Sequence, residues 1–163
     1  MNWLSRLLAP RARETLALRL FSLARIPLLF HIGARVSDIT DERMVVVVPL
    51  RRRTRNHLGS MYFAALCAGA DCAAGAFAMH FIRRRDKRIS MVFKNFHAEF
   101  LRRAEGDVHF VCEQGRDIAR LVARAAESGE RVEQAFDVVA FVPNQGGEPV
   151  ATFQLTLSLK RRD

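Results

Sequence analysis

Hydrophobic residues at the start of the chain recur near helical spacing, with arginines between them. This pattern predicts an amphipathic helical lead-in over residues 1–30, which Pro10 and Pro27 divide into pieces. We expect these helices to pack on the edge of a domain, although the Arg-rich, acid-poor composition would also suit a transit peptide or a membrane-surface helix. The apolar positions at this spacing are Trp3, Leu4, Leu7, Leu8, Leu16, Leu20 and Leu23.

The rest of the chain contains segments rich in Val, Ile and Phe that predict β-strands. These segments are residues 43–50, 89–101, 108–112, 132–142 and 150–159. The second and third are joined by the turn-like residues 104–107, and the last two flank a hairpin loop. A short helix is predicted between the two pairs, over residues 117–127 and ending near Gly129. The last strand alternates, with Phe153, Leu155, Leu157 and Leu159 on one face and Thr152, Gln154, Thr156 and Ser158 on the other.

A long apolar run follows the first of these strands. Asp71 is the only charged residue between Met61 and Phe81. At 1.5 Å per residue this run would span about 31 Å, enough to cross a bilayer core. It is rich in Ala and Gly rather than Leu and Ile, and arginines flank both ends, so we expect a buried central helix wrapped by the sheet and no integral membrane segment. A buried carboxylate is costly unless it is paired, which makes Asp71 a candidate functional group.

Composition narrows the class of protein. A chain of 163 residues with 50% hydrophobic and 26% charged residues is long enough for one domain with a proper core, and is unlike a disordered protein. The three cysteines (Cys67, Cys72 and Cys112) lack metal-site or disulfide-framework spacing, so we expect reduced, buried thiols in a cytoplasmic protein. Small helix-packing residues are the simplest role for Cys67 and Cys72.

The formal net charge of +9 is concentrated in arginine-rich runs at residues 51–55, 83–88 and 160–162. Such runs favour anionic partners, namely nucleic acid, anionic lipid or a phosphorylated small molecule, and solvated loop charges are the alternative. No aromatic residues interleave with them and no nucleic-acid-binding motif is present, so nucleic acid is not the expected partner. The histidines lack metal-ligand spacing, and no metal site is predicted; they are His31, His57, His80, His97 and His109.

Residues 49–60 (PLRRRTRNHLGS) follow a motif known from one protein family. They resemble an uncharacterised branch of the hotdog-fold acyl-CoA thioesterase superfamily, in which a strand ends in P-L-R-x-R-x-x-N-H-x-G-S/T. The chain is also similar to phenylacetate-degradation-type thioesterases, which carry N-x-x-G-x-x-H-G-G and an acidic residue nine positions after the His. Asn56 and Gly59 match that pattern, and Asp71 falls at the acid position. The likeness extends from about residue 32 onward.

The resemblance implies an α+β hotdog domain over residues 32–163, preceded by the helical lead-in of residues 1–31. It also implies roles at a thioester-binding helix N-terminus. The backbone N–H of Phe63 would hold the developing oxyanion, Asn56 would orient water or thioester, and Asp71 of the partner subunit would act as general base or nucleophile. The expected assembly is a homodimer or a dimer of dimers. No cofactor is implied, because the coenzyme A thioester is the substrate.

Two positions depart from the family pattern. Tyr62 stands where the His would be, and Phe63 and Ala64 replace the two glycines. Tyr62 can donate a hydrogen bond but is a poor base. The expected activity is acyl-CoA or acyl-carrier thioester hydrolysis, and the alternative is a non-catalytic hotdog module that binds acyl-CoA or a protein partner. Asn56 could instead cap the turn before the helix, and Asp71 could be satisfied structurally across a dimer interface.

A basic rim would suit the phosphates of coenzyme A, because arginine binds phosphate oxygens bidentately. The run that follows the central helix is expected at a loop position. Arg83, Arg84 and Arg85 are therefore predicted to bind the carrier, together with Gly59 and Phe63 at the acyl end of the site.

Overall fold

The structure is a computed structural model that describes residues 9–162. The lead-in forms helices α1 (Pro10–Arg25) and α2 (Pro27–Ile32), each with a proline in its first turn. Proline is favoured there because the first helical N–H groups have no intrahelical partner. The predicted division of the lead-in at these prolines is confirmed. The predicted helical positions Trp3, Leu4, Leu7 and Leu8 lie outside the described residues.

Six strands form one antiparallel sheet in the order β1-β2-β4-β5-β6-β3. Their bounds are β1 (Arg35–Ile39), β2 (Met44–Val48), β3 (Ile89–Phe100), β4 (Val108–Cys112), β5 (Val132–Phe141) and β6 (Pro149–Arg161). The turn-like residues 104–107 connect β3 to β4 along the chain. These two strands are not neighbours in the sheet, where β3 lies at one edge and pairs with β6. The predicted apolar face of β6 is confirmed, since Phe153, Leu155, Leu157 and Leu159 are all buried, but Ser158 on the opposite face is buried as well.

Strand β1 is absent from the sequence prediction, which placed one strand rather than two before the central helix. Its sequence, RVSDI, is short and polar, and only Val36 is buried. It is a strand because its backbone pairs with β2 at one edge of the sheet. Helix α1 also packs on it, where Thr15 Oγ1 accepts a hydrogen bond of 2.9 Å from the Val36 N–H.

Helix α3 (Phe63–Arg85) is the predicted central helix, and α4 (Gly115–Ser128) packs beside it. Helix α3 has the length and apolarity to cross a membrane, but 72% of its most apolar window is buried inside the protein. The prediction that Arg83–Arg85 lie in a loop is wrong, because all three belong to the last turn of α3. Arginine is a good helix former and its charge suits the negative end of the helix dipole.

A buried ion-pair cluster fastens α1 to the far end of α3. Glu14 Oε1 lies 3.2 Å from His80 Nδ1, and Arg83 donates a hydrogen bond to the other carboxylate oxygen. Burial would raise the pKa of Glu14, but the His80 hydrogen bond and the Arg83 charge hold it below its usual value. The lead-in is therefore docked on the domain through charged as well as apolar contacts.

The sheet wraps around α3, which completes the predicted hotdog fold. The core lies between them, and its α3 side consists largely of small residues such as Ala70, Ala73 and Ala74. Cys72 and Cys112 are buried as predicted, whereas Cys67 is only half-buried; the reduced state of the three thiols stays a prediction. Burial raises the pKa of each thiol, to about 11 for Cys112, and the charge of Asp71 adds to the rise at Cys72.

Candidate active site

The loop that leads into α3 is held in place by Thr54. This side chain is buried, and its Oγ1 donates a hydrogen bond of 2.7 Å to the carbonyl of Pro49. The N–H of Arg51 donates to Thr54 Oγ1 at 2.9 Å, and the N–H of Tyr62 donates to the Thr54 carbonyl at 2.8 Å. One residue therefore connects the end of β2 to the start of α3 and fixes where that helix begins.

Asn56 organises the turn within this loop. Its Oδ1 accepts a hydrogen bond of 2.9 Å from the Leu58 N–H, and its Nδ2 donates to Ser60 Oγ at 3.1 Å. Gly59 adopts φ 86°, a left-handed conformation that strongly favours glycine. In a single protomer Asn56 thus has the turn-capping role that the sequence left open as an alternative. Gly59 shapes the turn and does not line the adjacent cleft.

The first turn of α3 presents free hydrogen-bond donors. Tyr62 occupies the N-cap position without a side-chain cap, and its carbonyl accepts the N–H groups of Ala65 and Leu66. Within residues 9–162 the N–H groups of Phe63 and Ala64 have no acceptor. Unpaired N–H groups at the positive end of a helix are suited to binding an oxyanion. The oxyanion-binding role of the Phe63 N–H stays a prediction.

A cleft of about 440 Å³ opens at this helix end. The ring centroids of Tyr62 and Phe63 are 4.8 Å apart, and those of Phe63 and Phe100 are 6.1 Å apart. These exposed aromatic rings form an apolar wall. The remaining lining residues are Asn56, His57, Ser60, Met61, Leu66, Leu101, Arg102, Arg103 and Ala104.

Asp71 lies on α3 about 12 Å beyond Phe63, at 1.5 Å per residue. Its carboxylate accepts no hydrogen bond and forms no ion pair within the part of the chain that the structure describes. A Cβ built on Gly75 would lie 3.2 Å from Asp71 Oδ1 and 3.5 Å from the Phe93 ring, so the carboxylate is near edge strand β3. Burial raises the pKa of Asp71 from 3.8 to about 6. One protomer does not bring Asp71 into the cleft with Asn56 and Tyr62.

The arginines that were predicted to bind the carrier lie at the opposite end of α3, about 30 Å from Phe63 along the helix. Arg84 Nη1 is 3.2 Å from Asp41 Oδ1, and Arg85 Nη2 is 3.0 Å from Glu127 Oε1. With Arg83 paired to Glu14, all three already have acidic partners within the protomer. Among residues 9–162 no group of three or more His, Cys, Asp or Glu side chains is arranged to hold a metal ion.

The basic side chains at the cleft itself are Arg102 and Arg103, which the sequence analysis did not single out. Both lie just after β3, from which Leu101 separates them, and Arg102 Nη2 lies 3.8 Å from Glu148 Oε2. The available signal was a pair of arginines just after an aromatic-rich strand. The two arginines lie near the N-terminus of α3 because of a long-range contact, in which the Met61 N–H donates a hydrogen bond of 2.8 Å to the Ala104 carbonyl.

Comparison with known proteins identifies the family of this chain. Residues 15–159 match the family described as domain of unknown function DUF4442. The chain belongs to this family. No curated protein matches this DUF4442 chain.

Several solved structures are similar to this DUF4442 protein. PA5026 from Pseudomonas aeruginosa, described as a "Probable Thioesterase", is 25% identical with a TM-score of 0.72, covering 91% of this chain and 96% of that one. Thioesterase HI1161 from Haemophilus influenzae is 16% identical with a TM-score of 0.65, covering 87% and 88%. A mutant of thioesterase PA1618 from Pseudomonas aeruginosa is 19% identical with a TM-score of 0.67, covering 91% and 94%. All three similarities support the hotdog fold, and the similarity to PA5026 supports a thioesterase-like family.

Proposed function

We propose that this protein hydrolyses an acyl thioester carried by coenzyme A or by an acyl carrier, as a cytoplasmic homodimer or dimer of dimers. The observation that carries the proposal is the carboxylate of Asp71, which is largely buried on an apolar helix without a partner among the described residues of its own protomer. Such a group costs stability, and a raised pKa near the operating pH is typical of a catalytic base. A catalytic role would explain why the protein has a carboxylate at a position where it lowers stability.

The dimer would form through β3, which is one edge of the sheet. This strand is 12 residues long and exposes Val92, Phe96 and Phe100. A long edge strand with apolar side chains is a ready surface for pairing with another strand. Pairing β3 with its copy about a two-fold axis would bring the region of Asp71 against the partner's α3 and its cleft.

The reaction would use groups from both protomers. Asp71 takes a proton from water as the water oxygen bonds to the thioester carbonyl carbon, and the N–H groups of Phe63 and Ala64 hold the oxyanion. The tetrahedral intermediate then collapses, the C–S bond breaks, and the proton on Asp71 passes to the leaving thiolate. The products are a carboxylic acid and the free thiol of the carrier. Phe63 and Phe100 would contact the acyl chain.

The second candidate function is a non-catalytic module that binds an acyl thioester. Two observations favour it. Tyr62 is too weak a base to replace the family's His, and the Phe63 ring stands where the family pattern has glycine. Both functions share the cleft, and they differ in whether Asp71 activates water.

The decisive experiment compares Asp71→Asn with Asp38→Asn, which makes the same change at an exposed carboxylate on β1. Thiol release from a panel of acyl-CoA chain lengths is measured for both variants and the unmodified protein. We expect Asp71→Asn to lower turnover by roughly 10²–10⁴ with binding retained, because a general base is lost. The Asp38 variant should keep full turnover. Absence of hydrolysis by the unmodified protein across the panel, with measurable acyl-CoA binding, would instead establish the binding module.

A second variant tests the oxyanion donor. Phe63→Pro deletes one N–H at the first position of α3, where proline is tolerated, and Tyr62 already has φ −67° and ψ 138°, which suit a residue before proline. Phe63→Ala removes the ring but keeps the N–H, and is the matched control. We expect the proline variant to have roughly 10²–10³ lower turnover than the alanine variant. Equal turnover would remove this N–H from the mechanism.

Mixing the two inactive variants tests whether the site is shared. An exchanged dimer of Asp71→Asn with Phe63→Pro has one site with both lesions and one site with neither. Random exchange should therefore restore about one quarter of the original turnover in a two-fold dimer. If each site used residues of one protomer only, mixing would restore nothing.

A further inference from the structure

Helix α1 exposes most of its large apolar residues to solvent, whereas an ordinary surface helix buries them against the protein. Its buried residues are Glu14, Leu18 and Ser22, two of which are polar. The leucine stripe, defined as Leu16, Leu20 and Leu23, follows the spacing of one helix face and is exposed to 48%, 58% and 56%. A helix that only covered a core would bury these leucines.

The segment after α1 extends the leucine stripe. Ile26 at the junction and Leu28 and Phe30 on α2 are also exposed, Leu28 to 65%. Together with the stripe, these large apolar side chains all reach solvent within residues 16–30. An exposed apolar surface concentrated in one segment is typical of an interaction site rather than of the scattered apolar residues found on any protein.

The exposed charges around the leucine stripe are all positive. Arg13 and Arg19 are exposed and, at 100° per residue, flank the stripe on its two sides. Within residues 9–37 the only acidic residue is Glu14, which is buried in its pairs with His80 and Arg83. Each flanking arginine has one contact in the protomer: Arg13 Nε is 3.8 Å from Glu14 Oε1, and Arg19 Nη2 is 3.3 Å from the Gly33 carbonyl. An apolar stripe with a cationic border is complementary to an anionic lipid surface.

We propose that α1 and α2 form a membrane-surface element, which inserts the leucine stripe and its α2 extension among the lipids of an anionic bilayer without spanning it. The arginines would reach phosphate headgroups while their aliphatic stems stay in the apolar layer. Helix α3 takes no part, because most of its apolar stretch is buried inside the domain.

A second copy of the chain is a poorer occupant of this face. Two leucine stripes packed together would bring Arg13 and Arg19 of each copy close to the same residues of the other, and like charges disfavour such contact. The β3 edge is the opposite edge of the sheet from β1, on which α1 packs. Dimerisation through β3 would therefore leave the leucine stripe free to meet a membrane.

The test is co-sedimentation of the full chain with vesicles of phosphatidylcholine alone or mixed with phosphatidylglycerol. We expect binding to the mixed vesicles that weakens with salt. Substituting Leu16, Leu20 and Leu23 with Gln should abolish it at any salt. Arg13→Gln with Arg19→Gln should weaken binding about 30-fold, at about 1 kcal/mol per arginine. The matched charge control is Arg120→Gln with Arg124→Gln on α4, which should bind like the unmodified protein.

Three results would overturn the proposal. The unmodified protein could fail to bind mixed vesicles, the leucine variant could bind them equally well, or the leucine variant could change the oligomeric mass in solution, which would assign the stripe to a second copy. Every variant is checked by circular dichroism and by hydrolysis of a soluble short-chain acyl-CoA. The leucine and arginine variants lie outside the cleft and should leave that hydrolysis unchanged, so failure here is distinguishable from failure of the proposed hydrolase.

Discussion

The partly buried carboxylate of Asp71 makes the stability of the protein depend on pH in a defined direction. Its pKa is raised from 3.8 to about 6 by burial. Below pH 4 the group is protonated in both the unfolded and the folded chain and has no electrostatic cost. Between pH 4 and 6 the unfolded chain loses this proton while the folded protein keeps it, so the free energy of unfolding falls as pH rises. Above pH 6 the loss is complete.

The size of this loss follows from the shift. At 1.36 kcal/mol per pKa unit, the free energy of unfolding falls by about 3 kcal/mol across that window. Asp71→Asn removes the ionisation but places an amide with two N–H donors in the same site, which costs about 1–2 kcal/mol at every pH. The variant should therefore be slightly less stable than the unmodified protein near pH 4 and about 1–2 kcal/mol more stable at pH 8.

Urea unfolding at a series of pH values measures this difference directly. Subtracting the Asp71→Asn curve from the unmodified curve cancels the contributions of all other titrating groups. The difference should change by about 3 kcal/mol between pH 3 and pH 8, or roughly 6–12 °C in melting temperature for a chain of this size. Asp38→Asn, the same change at an exposed carboxylate, is the matched control.

Two outcomes would refute the reasoning about Asp71. A flat difference curve would mean that its pKa is ordinary in the assembled protein, so that partner groups satisfy the carboxylate. An Asp71→Asn protein that is less stable at pH 8, with turnover retained, would make Asp71 a structural residue and remove it from the mechanism.

Three further predictions concern other residues. Substituting Arg102 and Arg103 with Gln should raise KM for acyl-CoA about tenfold at low salt and much less at high salt, with no change for an acyl-pantetheine substrate that lacks the nucleotide phosphates. Gly69→Ala should destabilise the fold by about 1–3 kcal/mol in urea unfolding, because the new Cβ would lie 2.3 Å from the Phe110 ring; no loss would mean that the ring moves freely. Glu14→Gln should cost about 1–3 kcal/mol at pH 7, since its basic partners lose their counter-ion. Its pKa is below the usual 4.5, so this cost should fade as pH falls through the lowered value, and a cost that persists in acid would contradict the ion-pair account.

Those parts of the fold that depend on local composition could be predicted from the sequence. The run of valines in β2 and the alternation of β6 identify strands because their side chains meet the core in a regular pattern. The apolar run around Asp71 identifies the core helix because it is the longest apolar stretch in the chain. Prolines at the first turns of α1 and α2 mark both starts correctly.

The rest depends on contacts that no local pattern contains. The polar sequence of β1 becomes a strand only through pairing with β2 and contact with Thr15. Leu16 and Leu20 have a helical period, but the period does not tell which face is turned toward the protein. The position of Arg102 at the cleft likewise depends on where the chain after β3 meets the start of α3.

The strand order has a consequence for how the protein is made. Among the six strands of the described residues, edge strand β3 pairs only with β6, which is the last of the six along the chain. At about 5–20 residues per second, a ribosome needs on the order of several seconds to pass from one to the other. During that interval β3 has no neighbouring strand, and its exposed phenylalanines are open to aggregation or to chaperones. Two nascent chains therefore cannot join through a finished β3 edge before β6 has emerged, and assembly through that edge has to follow translation of the whole sheet.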